Sequence, residues 1–443
     1  MVVVTRAKRR ILDDESRRLQ EMPPGGSEGS GPDLVSGLPD ALLGEIITRL
    51  PTAFAVHTLI LSSRCSLWRT APLNLEAKLD AEEEAGKDLV PVLDALLRDH
   101  QGPLRRFSLR WLRPFDRFRI VDSMLQSHQL GELQEFEMFA SHYDNSDRWS
   151  LIPNSVPHFS PTLRTASTLG FLHLKQVTLQ RVRISETCFH DVLSRSPVLK
   201  GLALLMNAGY WHLQIRSPTL PSLCVLSDSG FHKHECLDEL VIADAPLLER
   251  LHLGSYISSP FTVRIIQSPK LKTLGGLDIW IPRFEFETLV LEKMVPISLS
   301  NAIRGVKILD LTHPNLNDVI GMLKCFPCVE KLHMRCPHGN SESVECCVPF
   351  ECLDLHLKTL KVAYYQEALH ARFVKFFVLN ARVLESINLV LQLKNKASQN
   401  VRVDFHSDTG MHYFMHKKHI HDLDMDDPYD MSSCRCHDDD VSF

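Results

Sequence analysis

The chain has 443 residues, 44% hydrophobic and 23% charged, enough apolar content to bury a large core or more than one domain. Its net charge of −5 leaves no global basic field of the kind a nucleic-acid binder carries. Twelve cysteines are scattered along the chain, and the opening MVVVTRAKRR lacks the apolar stretch of a secretory signal. Reduced thiols in a nuclear or cytoplasmic protein are therefore expected.

Residues 1–32 read as a disordered basic tail, with PPGGSEGSGP and almost no aromatic content. Arg6, Lys8, Arg9, Arg10, Arg17 and Arg18 form either a solvated tail or a split nuclear-import signal. The stretch LPDALLGEIITRLP, from Leu38 to Pro51, predicts a short helix. Pro39 suits the first turn, where its missing N–H has no partner anyway, and Asp40 favours the positive end of the helix dipole. Leu42, Leu43, Ile46, Ile47 and Leu50 fall on one face. Gly44 weakens the helix by about 1 kcal/mol relative to alanine, so packing must hold it. Pro51 ends it, and Thr52 caps a second predicted helix through AFAVHTLILSSR. A unit of about 40 residues is near the lower limit for a stable lone core, so its apolar surface calls for a partner.

Residues 76–100 read as a charged stretch leading into a helix. Beyond them a pattern recurs: apolar, two residues, apolar, one residue, apolar. Clear copies start at Leu199, Leu220, Leu248, Val329, Leu357 and Leu384; weaker ones start at Leu104, Leu133, Leu174, Leu271, Phe286 and Val306. Most intervals fall near the ~20–29-residue period of a leucine-rich repeat. A proline precedes five copies, in SPVLKGL, SPTLPSL, APLLERL, SPKLKTL and FPCVEKL, where it fixes a turn and stays out of the strand interior. Each unit supplies one short strand that cannot bury its apolar side alone, so neighbours stack into a parallel sheet. An ordinary α/β sheet is the competing architecture. The late apolar stretch FVKFFVLNARVLESINLVLQL carries Lys375, Arg382 and Glu385 and is no membrane span.

Residues between the apolar strand positions are expected on an exposed, concave face, where a target would bind. They include Arg106, Arg110, Arg250, His252, Lys331, His333, Arg335 and Lys361, against Glu135, Glu137, Glu292 and Asp310. No phosphate-binding loop, dinucleotide fingerprint, nucleophile elbow or zincin motif occurs. The CFPC of Cys325 and Cys328 lies within a repeat turn and strand, and the late His/Cys group (His412, His416, His419, His421, Cys434, Cys436, His437) matches no standard finger. No metal or cofactor is expected; a metal-dependent or thiol enzyme using that group is the rival from another class. Aspartates recur from Asp422 to Asp440, which reads as a solvated acidic tail.

The segment LPDALLGEIITRLPTAFAVHTLILSSR…LWRTAPLNL resembles the F-box, in particular that of plant proteins. The remainder resembles the same family's architecture, with leucine-rich repeats and an FBD-type region in LHLKTLKVAYY and HARFVKFFVLNARVLESINLVLQL; HKKHIHDLDMDDPYD is similar to the ending common in that group. The implied fold is an α+β or α/β solenoid, a small helical F-box followed by an irregular repeat solenoid with a parallel sheet. The implied domains are a tail at 1–32, the F-box at 33–75, repeats at 76–354, an FBD-like region at 355–428 and an acidic tail at 429–443. The implied function is that of a non-catalytic substrate receptor of an SCF-type ubiquitin ligase. Leu38, Pro39, Leu42, Leu43, Ile46, Leu50, Pro51, Val56, Leu61, Arg64 and Trp68 would dock on a Skp-family adaptor, and through it a cullin; the repeats would hold a protein target. No nucleic-acid or membrane partner is implied. The family's Leu-Ser-x-Arg-Trp-Arg-x-Leu-Trp is here LSSRCSLW, with Cys65 at the first Trp position and one residue fewer. A repeat scaffold with a degenerate F-box and no ligase recruitment is therefore the alternative.

Overall fold

The computed structural model describes residues 38–49, 70–79, 97–111, 128–140, 158–159, 171–228, 237–256, 260–335, 351–365, 367–391 and 427–429. The chain separates into two compact units, residues 1–43 and 44–443, the division falling within helix α1 (Asp40–Arg49).

α1 matches the helix expected from the prolines and the apolar spacing. Its first turn closes on Pro39, whose carbonyl accepts from the Leu42 and Leu43 amides at 3.0 and 3.1 Å. Leu42 and Ile46, one turn apart on one face, are 52% and 44% exposed. The second helix expected after Thr52 lies outside the described residues.

Twelve parallel strands form the main sheet: β1 (Leu73–Leu79), β2 (Leu104–Trp111), β3 (Glu135–Ala140), β5 (Gln176–Gln180), β7 (Gly201–Leu205), β9 (Ser222–Asp228), β11 (Arg250–Tyr256), β13 (Thr273–Asp278), β17 (Ile308–Thr312), β18 (Lys331–Arg335), β19 (Thr359–Tyr365) and β20 (Ser386–Leu391). They pair in chain order, each strand with the next. Eleven of the twelve repeat copies fall on these strands. The copy at Phe286 does not. Phe286 ends β14 (Arg283–Phe286), and Leu289 and Leu291 lie on β15 (Leu289–Glu292), which turns back antiparallel. β1 is the strand that the repeat pattern missed; it crosses the boundary set at residue 75.

The intervening strands build a second sheet. β8 (His212–Arg216), β10 (Glu239–Asp244), β12 (Thr262–Ile265) and β14 are parallel neighbours, extended antiparallel by β15 and β16 (Val295–Leu299). A two-residue pair, β4 (His158–Phe159) with β6 (Arg183–Ile184), stands apart. Elsewhere the chain returns through helices: α2 (Glu186–Ser194), capped by the Ser185 hydroxyl; α3 (Leu316–Cys325), started by a reciprocal Asn315–Asp318 capping box; and α4 (Glu367–Asn380).

One apolar core runs behind the main sheet. It takes Leu202 and Leu204 from β7, Leu213 and Ile215 from β8, and Phe189, Val319 and Phe377 from the helices. Burying each such side chain contributes about 1.5–3 kcal/mol. Four of the proline turns close as β-turns. The Leu199, Leu248, Leu271 and Val329 amides donate to the carbonyls of Ser196, Ala245, Ser268 and Phe326, with proline second in each turn. At the far end of three strands, Arg181, Met206 and His313 take φ of 54°, 55° and 54°, which swings the chain off the sheet.

Candidate functional site

Strand periodicity and register align one row of side chains on the face turned from the main core. The row runs Ser108, Glu137, Thr178, Ala203, Cys224, His252, Gly275, Asp310, His333 and Lys361. These neighbours stand about 4.8 Å apart, strand by strand. Most of this row is buried, contrary to the exposure expected: His252 is 2% and His333 5% exposed. In the middle, Ala203, Leu205, Cys224 and Leu226 form a second apolar cluster of their own.

At one end the charges satisfy each other. Arg106 reaches Glu137 at 3.0 Å, Glu76 at 3.3 Å and Glu135 at 3.6 Å, and the Ser108 hydroxyl donates to Glu137 at 2.9 Å. Burial works against the Arg106 charge, yet Glu137 and Glu76 hold its pKa above the ordinary value. The Arg110 guanidinium stacks over the Phe139 ring at 4.9 Å.

At the other end the partner comes from far along the chain. Asp427, Pro428 and Tyr429 form a turn on the sheet, the Tyr429 amide donating to Asp427 Oδ1 at 3.1 Å. The Lys331 ammonium donates to Asp427 Oδ2 at 3.0 Å, and His333 Nε2 lies 3.3 Å from the same oxygen. Lys361 donates to the Tyr429 carbonyl at 2.8 Å. The phenol hydroxyl meets His252 Nδ1 at 3.1 Å, with the His252 and His333 rings 5.7 and 5.1 Å from the tyrosine ring. Burial opposes the Asp427 charge, but His333 and Lys331 hold its carboxyl well below the usual carboxylate range. Burial pushes the Tyr429 phenol well above its ordinary value, and Asp310 adds to this.

A glycine makes room for the ring. A Cβ at Gly275 would overlap the Tyr429 hydroxyl and stand 2.9 Å from His252 Nδ1. Gly275 and Gly276 sit where the β13–β17 register slips between Leu274 and Leu277, two residues against Asp310. Gly276, at φ +71°, donates its amide to Asp310 Oδ2 at 3.0 Å, and Arg335 reaches the same oxygen at 3.4 Å.

Four expected target-binding residues, His252, Lys331, His333 and Lys361, thus converge on one turn. Arg335 stands beside them on Asp310, while Arg250 is one row over and donates to Ser222 at 3.3 Å. Arg106 and Arg110 belong to the other end. Glu292 is not on this face; it lies in the second sheet, paired with Arg283. Sequence reasoning missed Gly275 and assigned Tyr429 to a solvated tail. The DPY triplet, a turn former between an acid and an aromatic, was the available signal. Of the expected adaptor-binding residues, Leu38, Pro39, Leu42, Leu43 and Ile46 are on or beside α1; Leu50, Pro51, Val56, Leu61, Arg64 and Trp68 lie outside the described residues, as does the late His/Cys group.

Cys325 and Cys328 belong to the fold. Burial pushes the Cys325 thiol up to about 11 and the Cys352 thiol up to about 12, so neither is a ready thiolate. Cys328, Glu351 and His356 gather their ligand atoms within 4.8 Å, but the Arg304 guanidinium already engages two of them, 2.6 Å from Glu351 and 3.8 Å from Cys328 Sγ. No helix among the described residues is long and apolar enough to cross a membrane.

Two family models match. The first, described as FBD-associated F-box protein At5g56370, LRR repeats, covers residues 121–334; the second, FBD, covers 346–389. The FBD match, expected over 355–428, takes in β19 and α4 and most of β20, which continue the sheet from β18. Among Arabidopsis thaliana proteins, the chain is 27% identical to FBD-associated F-box protein At5g44490 over 55% of each chain. It is 24% identical to putative F-box/FBD/LRR-repeat protein At5g56810 over 84% of this chain and 92% of that one. It is 27% identical to FBD-associated F-box protein At5g60610 over 81% of this chain and 99% of that one. The chain thus spans about half of the first relative and nearly all of the other two. With the stacked repeat strands and an FBD segment built as their continuation, the chain belongs to the F-box/FBD/LRR-repeat proteins of plants.

Proposed function

We propose that the chain is the substrate-recognition subunit of an SCF-type ubiquitin ligase. α1 and the segment after it dock on a Skp-family adaptor, the adaptor brings a cullin, and the repeat sheet holds a protein target. The observation that carries this reading is the apolar face of α1, with Leu42 and Ile46 about half exposed on a helix too short to be stable alone. Such a receptor needs no nucleophile of its own. It acts by raising the effective concentration of target lysines near ubiquitin chemistry done elsewhere. Nuclear or cytoplasmic residence accords with this role.

Co-purification with a Skp-family adaptor tests it. The wild-type chain is expected to retain the adaptor, and Leu42→Asp with Leu43→Asp to lose it, since two buried charges at an interface centre cost several kcal/mol. A folded wild-type chain that retains no adaptor overturns the ligase role and leaves a repeat scaffold with a degenerate F-box.

A further inference from the structure

We propose that the sheet face around Gly275 is a peptide-binding site for a turn of the form Asp-x-Tyr, and that Asp427–Tyr429 occupies it in cis in place of a target segment. The inference rests on the target-binding half of the reading above and names the chemistry the target must carry.

The site reads three features of its occupant independently. The carboxylate is read by Lys331 and His333, the phenol by His252 within the gap left by Gly275, and the Tyr429 backbone carbonyl by Lys361. The two histidine rings bracket the tyrosine, so an aliphatic side chain would forfeit both ring contacts and the hydroxyl partner. The occupant is held ready. Pro428 fixes one backbone angle, and the Asp427 carboxylate ties back to the Tyr429 amide, which lowers the ordering cost of binding.

Asp427–Tyr429 meets the sheet face through two side chains and one carbonyl. The repeat strands on either side pair with one another and not with it. As part of the same chain it meets the site intramolecularly, at an effective rather than a free concentration. A target bearing the same turn must compete with that concentration. Only a strongly binding or multiply anchored target displaces the chain's own segment, which sets a threshold for engagement.

The test uses the full chain and a labelled synthetic peptide spanning Leu423–Asp430, LDMDDPYD. Wild type is expected to bind it weakly, because the site is occupied. Asp427→Asn with Tyr429→Ala empties the site and should tighten peptide binding by about tenfold or more. In that emptied chain, Lys331→Ala with Lys361→Ala should abolish binding, as should replacing the peptide's tyrosine with alanine. Gly275→Ala is expected to release the native segment and yet bind no peptide, because its methyl occupies the place of the hydroxyl. An emptied chain that folds and binds no peptide, or one that no longer folds, overturns the proposal; either result makes the segment part of the core. The assay contains no adaptor, so its failure is separate from failure of the ligase reading.

Discussion

The two ends of the sheet face carry similar charges and settle them differently. Around β1 to β3, Arg106 on β2 finds Glu76, Glu135 and Glu137 on the two neighbouring strands. Around β18 and β19, Lys331, His333 and Lys361 meet a segment 68 to 96 residues further along the chain. The first arrangement is fixed as soon as three strands pair. The second depends on a separate docking event, and it is the one with a ligand's geometry. On a strand face, a cation met by a segment from far along the chain is the one that is informative about binding.

The comparison breaks most forcefully at Glu137. Glu137→Ala strips Arg106 of its shortest contact in a buried setting and should cost about 3 kcal/mol in a urea titration of the whole chain. Lys331→Ala should cost about 1 kcal/mol or less in the same titration, because releasing the Asp427–Tyr429 segment is a local opening. Its effect should appear instead as faster proteolysis near Tyr429.

Acid sharpens the contrast. The Asp427 pKa is lower in the docked state than its ordinary 3.8, so its contribution is fully present above that value and is lost as the pH falls below it. Docking of the segment, followed by tyrosine fluorescence, should weaken in wild type below about pH 4. In Asp427→Asn it should start weaker and lack that step.

Thiol labelling reads the same event from beneath. Cys224 lies beside His252 in the row and close to Tyr429. The Asp427→Asn, Tyr429→Ala chain should label faster at Cys224 than wild type at pH 8. Cys325 and Cys352, pushed up to about 11 and 12, should stay unlabelled in both while folded. The smallest effect is expected at Lys272, whose pair with Glu249 at 3.3 Å is solvent-exposed. Lys272→Ala should move stability by no more than about 0.5 kcal/mol.

Much of this architecture was legible because its rules are local. Leucines at 199, 202 and 204 declare a strand and its buried side without reference to anything distant, and Pro197 announces the turn before it. The pattern misled at Phe286. Phe286, Leu289 and Leu291 keep the repeat spacing, yet a turn between β14 and β15 folds them into a hairpin of the second sheet. That sheet had a signal of its own in the alternation of His212 to Arg216 and Thr262 to Ile265, which period-two counting would have found. The face residues were picked by the same alternation, and four of eight converge. What no local rule could give is the occupant. His252 and Tyr429 are 177 residues apart, and nothing near either one names the other.

That separation also sets an order of events during synthesis. Repeat strands add to the stack as they emerge, each against its predecessor. The His252, His333 and Lys361 strands can therefore be in place before residues 427–429 exist. At roughly 5–20 residues per second, the 68 residues from Lys361 to Tyr429 take several seconds to make. For that interval every newborn chain presents a finished site with no tethered rival, and a target or chaperone bearing the right turn meets it without competition.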